Sequence, residues 1–354
     1  MSDTPTFRFG DRLIGATADV FTIAELSGNH NGSFERSVEM LHAAAKAGAD
    51  AVKVQTYTAD SITLNSDRPE FRAEGLWEGR TLYDLYAEAS MPWDWQADLA
   101  EEARRAGVKF FSSVFDHSSI DYLESIGVEA YKIASFELVD TPLIEAAAAT
   151  GKPLIMSTGM ATLSEIEEAV EAARRGGSGD IALLACTSSY PAPASAANLR
   201  KIPHLAETFG VVAGLSDHTI GNEVATAATA LGAAIVEKHF TLRRADGGVD
   251  SAFSLEPEEF AQLVDAVRIA REAVGSVHYG PTDADRSSRA YRRSLFVARD
   301  VAAGSVIGEG DVRSVRPANG LHPRHLPDVI GQVARHDIEA GTPASWDLFE
   351  PAAG

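Results

Sequence analysis

Short apolar runs rich in β-branched and aromatic residues alternate with longer amphipathic stretches over the first 275 residues. Eight such runs occur, at residues 20–27, 51–56, 109–114, 130–134, 153–158, 181–187, 211–216 and 234–241. Apolar residues at helical spacing fill stretches between them, as at 33–47, 93–106, 163–174, 224–230 and 257–273. This alternation predicts a (β/α)8 TIM barrel with its active site on the loops after the strands. A doubly wound open sheet is the competing fold, but no run is followed by a Gly-x-Gly-x-x-Gly turn.

Two segments interrupt the alternation. Residues 57–92 follow the second run without a clean strand pattern, and a loop at that position is predicted to cover the barrel mouth as a substrate lid. Residues 276–290 are polar and contain Gly280 and Pro281, which is typical of a linker. We therefore expect a barrel domain at 1–275, a linker at 276–290 and a second domain at 291–354.

The second domain contains a faint internal repeat. Residues 299–305 (RDVAAGS) are echoed 37 positions later by residues 336–342 (HDIEAGT). The repeat predicts a small, pseudo-symmetric, β-rich fold. A domain of about 60 residues is marginally stable alone, so we expect it to dock on the barrel or on another subunit.

The net charge and the cysteine content limit the classes of function that the chain can have. The formal net charge of −20 excludes a nucleic-acid binder or an acidic-membrane binder, so an anionic substrate needs a local basic pocket. Cys186 is the only cysteine, which excludes a disulfide framework and a thiolate zinc site within one chain and favours a reducing, cytoplasmic location. Neither an export signal nor a run of about 18 apolar residues is found.

Two lysines lie where a barrel keeps its reactive groups, at the ends of predicted strands. Lys53 lies in the second run with Gln55 on the same strand face, and Lys132 lies in the fourth. A buried lysine is unfavourable unless it meets an anion, so this pair with a rim of serines predicts a pocket for one phosphate and one carboxylate. The alternative is that one or both lysines form structural ion pairs with Glu237 or Asp217.

Two histidines end neighbouring strands of the predicted barrel. His218 follows the seventh run and His239 lies in the eighth, so their imidazoles can converge on one ion. Two nitrogen ligands completed by oxygens suit an open, six-coordinate Mn²⁺ or Mg²⁺ better than a structural zinc. Such an ion polarises a substrate aldehyde. The alternative is a pair of hydrogen-bonded core histidines.

These residues stand in motifs that resemble the sialic acid synthase family, in which a barrel is joined to a C-terminal antifreeze-like (SAF) domain. The resemblance covers nearly the whole chain. It implies condensation of phosphoenolpyruvate with an acetamido sugar by a transferase, with cleavage of a C–O bond. The matching segments are 24–32 (AELSGNHNG), 49–56 (ADAVKVQT), 131–135 (YKIAS), 157–161 (STGMA), 214–219 (GLSDHT) and 237–241 (EKHFT).

The resemblance also implies a role for individual residues. Glu25 acts as general acid/base beside the catalytic lysines, His218 and His239 bind the metal, and Arg316 is lent to the barrel of the other subunit of a domain-swapped homodimer. The sugar is met by Gln55, Tyr190 and Asp250. Phosphoenolpyruvate is held by Lys53, Ser113, Lys132, Ser135, Ser157, Ser188 and Ser216.

Within the family, the similarity is strongest to the branch that uses 2,4-diacetamido-2,4,6-trideoxy-β-L-altropyranose in its open-chain form. The segments that carry it are 186–193 (CTSSYPAP), 246–257 (DGGVDSAFSLEP) and 292–297 (RRSLFV). N-acetylneuraminate synthases typically carry Asn where this chain has Ser188, and His with a basic residue in place of Ser251 and Ala252. An N-acetylneuraminate or legionaminate synthase, which uses N-acetylmannosamine or a diacetamido mannose-type sugar, remains the nearest alternative. A Schiff-base aldolase using Lys53 or Lys132 and a non-catalytic carbohydrate-binding protein are the others.

Overall fold

The computed structural model describes residues 5–352, which divide into two compact units. The first unit ends at Gly275 and the second begins at Ser276. Among the described residues, no helix is both long enough and apolar enough to cross a membrane.

The first unit begins with a β-hairpin that closes one end of its barrel. Strands β1 (Thr6–Phe9) and β2 (Arg12–Gly15) pair in antiparallel fashion. The Phe9 ring packs against Phe21 and Phe111 on the barrel strands, at centroid distances of 5.5 and 5.2 Å. The hairpin therefore seals the amino-terminal end of the barrel and leaves only the opposite end open to ligands.

Eight parallel strands form a closed barrel, which confirms the predicted fold. Each strand pairs with the next along the chain, and the last pairs with the first. The strands are β3 (Phe21–Glu25), β4 (Ala51–Thr56), β5 (Lys109–Val114), β6 (Tyr131–Ile133), β7 (Leu154–Ser157), β8 (Ile181–Cys186), β9 (Val212–Asp217) and β10 (Ile235–His239).

Helices follow the strands and pack around the barrel. Their ends carry local signals: Asp116 and Thr162 make capping boxes, and Gly127 and Gly177 end two helices in the left-handed conformation. The helices of this unit are α1 (Phe34–Lys46), α2 (Ala59–Ile62), α3 (Leu82–Ala89), α4 (Asp94–Ala106), α5 (His117–Ile126), α6 (Thr141–Ala149), α7 (Leu163–Gly176), α8 (Lys201–Phe209), α9 (Glu223–Ala230) and α10 (Pro257–Val274).

The interior of the barrel is apolar near the hairpin and polar at the open end. Because alternate residues of a strand share a face, most of the strands pass from an apolar inward residue to a polar one two positions later. On β3, for example, Ile23 is followed by Glu25, and on β10, Ile235 is followed by Glu237. The same change from an apolar to a polar inward residue occurs from Ala51 to Lys53, Phe111 to Ser113, Ala130 to Lys132 and Ile155 to Ser157.

The second unit is small and β-rich, with its own apolar core. Strands β11 (Ser294–Val297) and β12 (Val312–Val315) form one antiparallel pair, and β13 (Val333–Ala334) and β14 (Phe349–Glu350) form another. A short helix, α11 (Leu326–Val329), lies between β12 and β13.

The two copies of the sequence repeat face each other within this unit. Val301 and Ile338 form an antiparallel bridge. The Asp300 carboxylate accepts a hydrogen bond from the Ala340 backbone at 2.8 Å, and the Asp337 carboxylate accepts one from the Ala303 backbone at 2.8 Å. This reciprocal arrangement explains why an aspartate recurs at the same place in both copies.

Candidate active site

A buried cluster of one lysine and two glutamates lies at the polar end of the barrel. The Lys53 Nζ is 2.8 Å from Glu237 Oε1 and 3.0 Å from Glu25 Oε2, and all three residues are at most 5% exposed. Ser216 donates a hydrogen bond to the same Glu237 oxygen at 3.0 Å. Lys53 is therefore ion-paired with Glu237, which was one of the predicted alternatives. Asp217, the other predicted partner, pairs instead with Lys238 at 2.6 Å.

Lys132 is the second buried lysine, and its hydrogen bonds go to neutral oxygens. Its Nζ donates to Ser157 Oγ at 2.7 Å and to the Ile133 carbonyl at 3.0 Å. Burial lowers the pKa of Lys132 to about 8; Glu237 opposes this shift and the Lys53 charge adds to it. Lys132 is thus a buried cation whose charge is favoured by an incoming anion.

A group of predicted serines lies around Lys132. Ser135 Oγ accepts a hydrogen bond from the Gly159 backbone at 3.1 Å. A Cβ at Gly159 would overlap the Ser188 hydroxyl and lie 2.7 Å from Ser135 Oγ, so only glycine allows both serines to approach. The Ser188 Oγ is buried and has no hydrogen-bond partner among the described residues. Gly159 supports the site but was not among the predicted residues.

Glu25, the predicted acid/base, is held in place through one of its two oxygens. The Oε1 atom accepts hydrogen bonds from the Ser27 backbone at 2.8 Å and from Gln55 Nε2 at 3.2 Å. The Oε2 atom contacts the Lys53 ammonium at 3.0 Å and has no other polar partner among the described residues. Burial raises the pKa of Glu25, Lys53 opposes that shift, and the Glu237 charge adds to it. The arrangement leaves one oxygen available for proton transfer.

The two predicted metal-binding histidines lie side by side. Their ring centroids are 5.3 Å apart. The His218 Nδ1 is 2.9 Å from the Thr187 carbonyl, which places a proton on Nδ1, so Nε2 is the donor atom of the neutral ring. Burial lowers the pKa of His218, but Cys186 and the Thr187 carbonyl together raise it above its ordinary value. Burial, with the neighbouring His218, lowers the pKa of His239 well below its ordinary value, so its ring is neutral. Asp250 Oδ2 is 3.8 Å from His239 Nδ1.

The histidine pair fits an open metal site. The His239 Nδ1 is buried without a hydrogen-bond partner among the described residues, and neutral imidazoles are the form that binds metals. No group of three or more His, Cys, Asp or Glu residues in the described part of the chain could enclose a metal. Substrate or water oxygens would complete the coordination, as Mn²⁺ and Mg²⁺ allow.

Three aromatic side chains line the site beside the two imidazoles. The Tyr190 ring lies 4.4 Å from His218, and the Phe253 ring lies 4.9 Å from His239, measured between centroids. Trp77, from the predicted lid segment, lies 5.9 Å from Tyr190. Tyr190 was predicted as a sugar contact; Phe253 and Trp77 were not, because aromatic residues in loops carry no periodic signal.

Glu137 is a further buried carboxylate that sequence reasoning missed. It follows Ser135 in the loop between β6 and α6. Burial raises the pKa of Glu137 to about 7, although Lys132 opposes the shift, and its Oε2 has no hydrogen-bond partner among the described residues. In the sequence, only its position two residues after Ser135, a predicted ligand of phosphoenolpyruvate, could have indicated that Glu137 lies near the site.

Arg316 belongs to the second unit. It lines a cavity of about 580 Å³ together with Tyr291, Arg292 and Arg293. The arginines make this cavity strongly cationic in a chain of net charge −20. A contact between Arg316 and the barrel of another subunit stays a prediction.

Fold and site together define a barrel protein with a cationic, serine-rimmed mouth beside an imidazole pair, followed by a small β-rich unit. The chain belongs to the NeuB family, whose model matches residues 40–279. A SAF domain model matches residues 292–350. The resemblance inferred from the motifs is therefore confirmed.

Individual relatives refine this assignment. The chain is 43% identical to a pseudaminic acid synthase of Helicobacter pylori over 331 residues, which cover 93% of this chain and 97% of that protein. It is 35% identical to an N,N'-diacetyllegionaminic acid synthase of Legionella pneumophila over 342 residues, covering 95% and 96%. The crystal structure of N-acetylneuraminic acid synthetase from Leptospira borgpetersenii superimposes with a TM-score of 0.72 at 33% identity, covering 80% of this chain and 95% of that chain. The chain is thus most similar to the first of these three.

Proposed function

We propose that this chain is a transferase that condenses phosphoenolpyruvate with open-chain 2,4-diacetamido-2,4,6-trideoxy-β-L-altropyranose and water, yielding pseudaminic acid and phosphate. The observation that carries the proposal is the convergence of two buried lysines and two imidazoles at one barrel mouth, Lys53 and Lys132 with His218 and His239. The high identity to a pseudaminic acid synthase supports this acceptor.

The two lysines divide the anionic groups of phosphoenolpyruvate between them. Lys132 binds one group with Ser157, to which it is hydrogen-bonded, and with Ser135 and Ser188, which meet at Gly159. Lys53 binds the other with Ser113 on the adjoining strand β5 and with Ser216 on β9, which shares the Glu237 carboxylate with Lys53. The Ser188 hydroxyl, which has no partner among the described residues, and the low pKa of Lys132 support this assignment, because an incoming anion gives the hydroxyl a partner and the ammonium a counter-charge.

The histidines hold a divalent ion, Mn²⁺ or Mg²⁺, which polarises the aldehyde oxygen of the sugar when bound. Gln55, Tyr190 and Asp250 orient the sugar chain.

Bond formation joins C3 of phosphoenolpyruvate to the aldehyde carbon with the electrons of the C2=C3 double bond, the aldehyde oxygen takes a proton from Glu25 and becomes a hydroxyl, and C2 acquires cationic character. Water adds at C2, and one of its protons returns to Glu25. The tetrahedral intermediate then collapses to the α-keto acid as the C2–O bond to phosphate breaks; phosphate departs with the electrons of that bond and takes up the proton that the remaining C2 hydroxyl loses. The raised pKa of Glu25 suits a carboxyl group that exchanges a proton during turnover.

The proposal includes a domain-swapped homodimer in which Arg316 of one subunit completes the site of the other, and a cytoplasmic location. It also includes the division into a barrel domain at 1–275, a linker at 276–290 and a SAF domain at 291–354.

The test is phosphate release from phosphoenolpyruvate with Mn²⁺ and three acceptors: the altrose derivative, N-acetylmannosamine and the 2,4-diacetamido mannose-type sugar. We expect the highest kcat/KM with the altrose derivative and loss of activity with a chelator, restored by Mn²⁺. Preference for either other acceptor would overturn the choice of sugar, and phosphate release unaffected by chelation would remove the metal.

A Schiff-base aldolase is a second candidate, and the low pKa of Lys132 is the observation that favours it. Borohydride treatment with the sugar or with pyruvate distinguishes the two. A covalent adduct on Lys132 in metal-free protein would support the aldolase, and an unchanged protein mass supports the synthase.

A further inference from the structure

Segment 57–92 places one indole ring at the edge of the active site. Trp77 is half-buried, and its Nε1 donates a hydrogen bond to the Val249 carbonyl at 3.0 Å. Val249 precedes Asp250, a proposed sugar contact. The hydrogen bond therefore ties the segment to the loop after β10, across the open end of the barrel.

The loop that receives this hydrogen bond is itself fixed. Val249 packs so closely on Gly28 that a Cβ there would overlap the valine side chain, and the same Cβ would lie 3.1 Å from Ala89 Cβ. Asn31 Nδ2 donates to the Gly247 carbonyl at 3.2 Å. The position of the indole is thus set by the rigid barrel mouth.

The indole continues an aromatic surface that ends at the imidazoles. Its ring packs on Tyr190, which in turn packs on His218 and, at 5.2 Å, on Phe253. The side of the site near Lys132 is lined by ammonium and hydroxyl groups, whereas this side is formed largely by the aromatic rings of Trp77, Tyr190 and Phe253. One face of a bound sugar therefore meets a surface that cannot replace the hydrogen bonds of a hydroxyl group with water.

We propose that Trp77 is a specificity-determining residue that contacts the methyl groups of a deoxygenated, acetamido-substituted acceptor and disfavours a hydroxylated one. The inference rests on the proposed function. A methyl group on an aromatic surface gains from leaving water, whereas a hydroxyl group in the same place loses its hydrogen bonds. The trideoxy sugar has a methyl group where N-acetylmannosamine has a hydroxymethyl group, so the two acceptors report on this contact.

The test compares Trp77→Ala and Trp77→Phe with the wild type, using both acceptors and Mn²⁺. We expect Trp77→Ala to lower kcat/KM for the trideoxy sugar by about 10- to 100-fold. For N-acetylmannosamine we expect a change below about threefold, and Trp77→Phe should retain most of the selectivity. Trp346→Ala, in the second unit, is the matched control and should leave the selectivity unchanged.

Two readouts separate recognition from a structural role. The KM for phosphoenolpyruvate should be unchanged in Trp77→Ala, and its melting temperature should fall no further than loss of the Val249 hydrogen bond and the Tyr190 contact explains, as Trp77→Phe reports for the hydrogen bond alone. Loss of affinity for the trideoxy sugar should be seen directly by calorimetry. An equal loss with both acceptors, or an unchanged ratio, would overturn the inference while leaving the proposed function intact. Wild-type protein that neither binds nor turns over the trideoxy sugar would instead overturn both.

Discussion

Strands β9 and β10 contribute to two buried ion pairs, one on each face of the barrel wall, and the two pairs differ in how completely they are hydrogen-bonded. On the outer face, Lys238 Nζ donates to Asp217 Oδ2 at 2.6 Å and to the Thr219 carbonyl at 2.7 Å. The other Asp217 oxygen accepts from the Thr219 backbone at 2.9 Å. Both charged groups are thus satisfied within the protein.

On the inner face, the charged groups of Lys53, Glu25 and Glu237 are not all hydrogen-bonded within the protein. Lys53 is shared by Glu25 and Glu237: the Glu25 Oε2 atom has only this shared ammonium beside it, and the Glu237 Oε2 atom is buried without a hydrogen-bond partner among the described residues. Although burial alone would raise the pKa of Glu237, the charges of Lys53 and Lys132 hold it well below its usual range. A buried polar atom without a partner is unfavourable unless a ligand supplies one. The outer pair is therefore structural, and the inner cluster has the properties of a binding site.

The largest expected effect is on the outer pair. Lys238→Met leaves the Asp217 carboxylate buried without its cation, so we expect the free energy of unfolding to fall by about 3–5 kcal/mol. Chemical denaturation measures this. The double variant Lys238→Met/Asp217→Leu removes both charges and should recover most of the loss. If the single variant were as stable as the wild type, the structural role of the outer pair would be wrong.

The second expected effect is on the inner cluster, where catalysis should change without loss of stability. Glu25→Gln removes the proton acceptor, and we expect kcat to fall by about 10²-fold or more with KM largely kept. Because Lys53 keeps Glu237 as a partner, the free energy of unfolding should not fall. Steady-state phosphate release and denaturation give the two values. Near-normal turnover in this variant would exclude Glu25 from proton transfer.

The third effect concerns pH. An anion binds to protonated Lys132, whose pKa is about 8, so the KM for phosphoenolpyruvate should be flat below pH 8 and rise by up to about tenfold per unit above it. The substrate phosphate has its last pKa at about 6 and does not titrate in this range.

Above pH 8, the free energy of unfolding should rise while the affinity for phosphoenolpyruvate falls. The folded pKa of Lys132 is lower than its unfolded value of 10.5, so between pH 8 and 10.5 the unfolded chain binds more protons. This group therefore disfavours folding below pH 8, and that penalty is relieved as the pH rises towards 10.5. Lys132→Met should abolish both trends. A KM that is independent of pH up to 10 would contradict a charged Lys132 as the anion ligand.

Much of the difference between the outer ion pair and the inner cluster could be predicted from the sequence, because successive side chains of a barrel strand point alternately inward and outward. The rule that residues two apart share a face correctly grouped Lys53 with Gln55, and it likewise puts Glu237 on the same face as His239. The same rule places Asp217 and Lys238 on the opposite face from Ser216 and Glu237. The prediction that Asp217 neutralises Lys53 or Lys132 was wrong, because Asp217 lies on the outer face of β9 and pairs there with Lys238.

Features that depend on loops could not be predicted in the same way. The amino-terminal hairpin packs Phe7 and Phe9 into the barrel, yet its four-residue strands are too short for a reliable pattern. Trp77 and Glu137 reach the site through loop conformations that have no period. Gly159 illustrates the remaining limit, since its role depends on two serine hydroxyls that meet only in the folded chain.

The smallest expected effect tests the meaning of an unsatisfied hydroxyl. In Ser188→Ala, the protein loses no internal hydrogen bond, because the Ser188 Oγ has no partner among the described residues. We therefore expect the free energy of unfolding to stay within about 0.5 kcal/mol of the wild type. If this hydroxyl binds phosphoenolpyruvate, the KM should rise about fivefold, which is the value of one hydrogen bond. Ser135→Ala is the matched control, because its hydroxyl already bonds Gly159 and its removal should also lower stability. A Ser188→Ala variant that loses stability and keeps its KM would show that the hydroxyl stabilises the fold, as the Lys238–Asp217 pair does, and does not bind phosphoenolpyruvate.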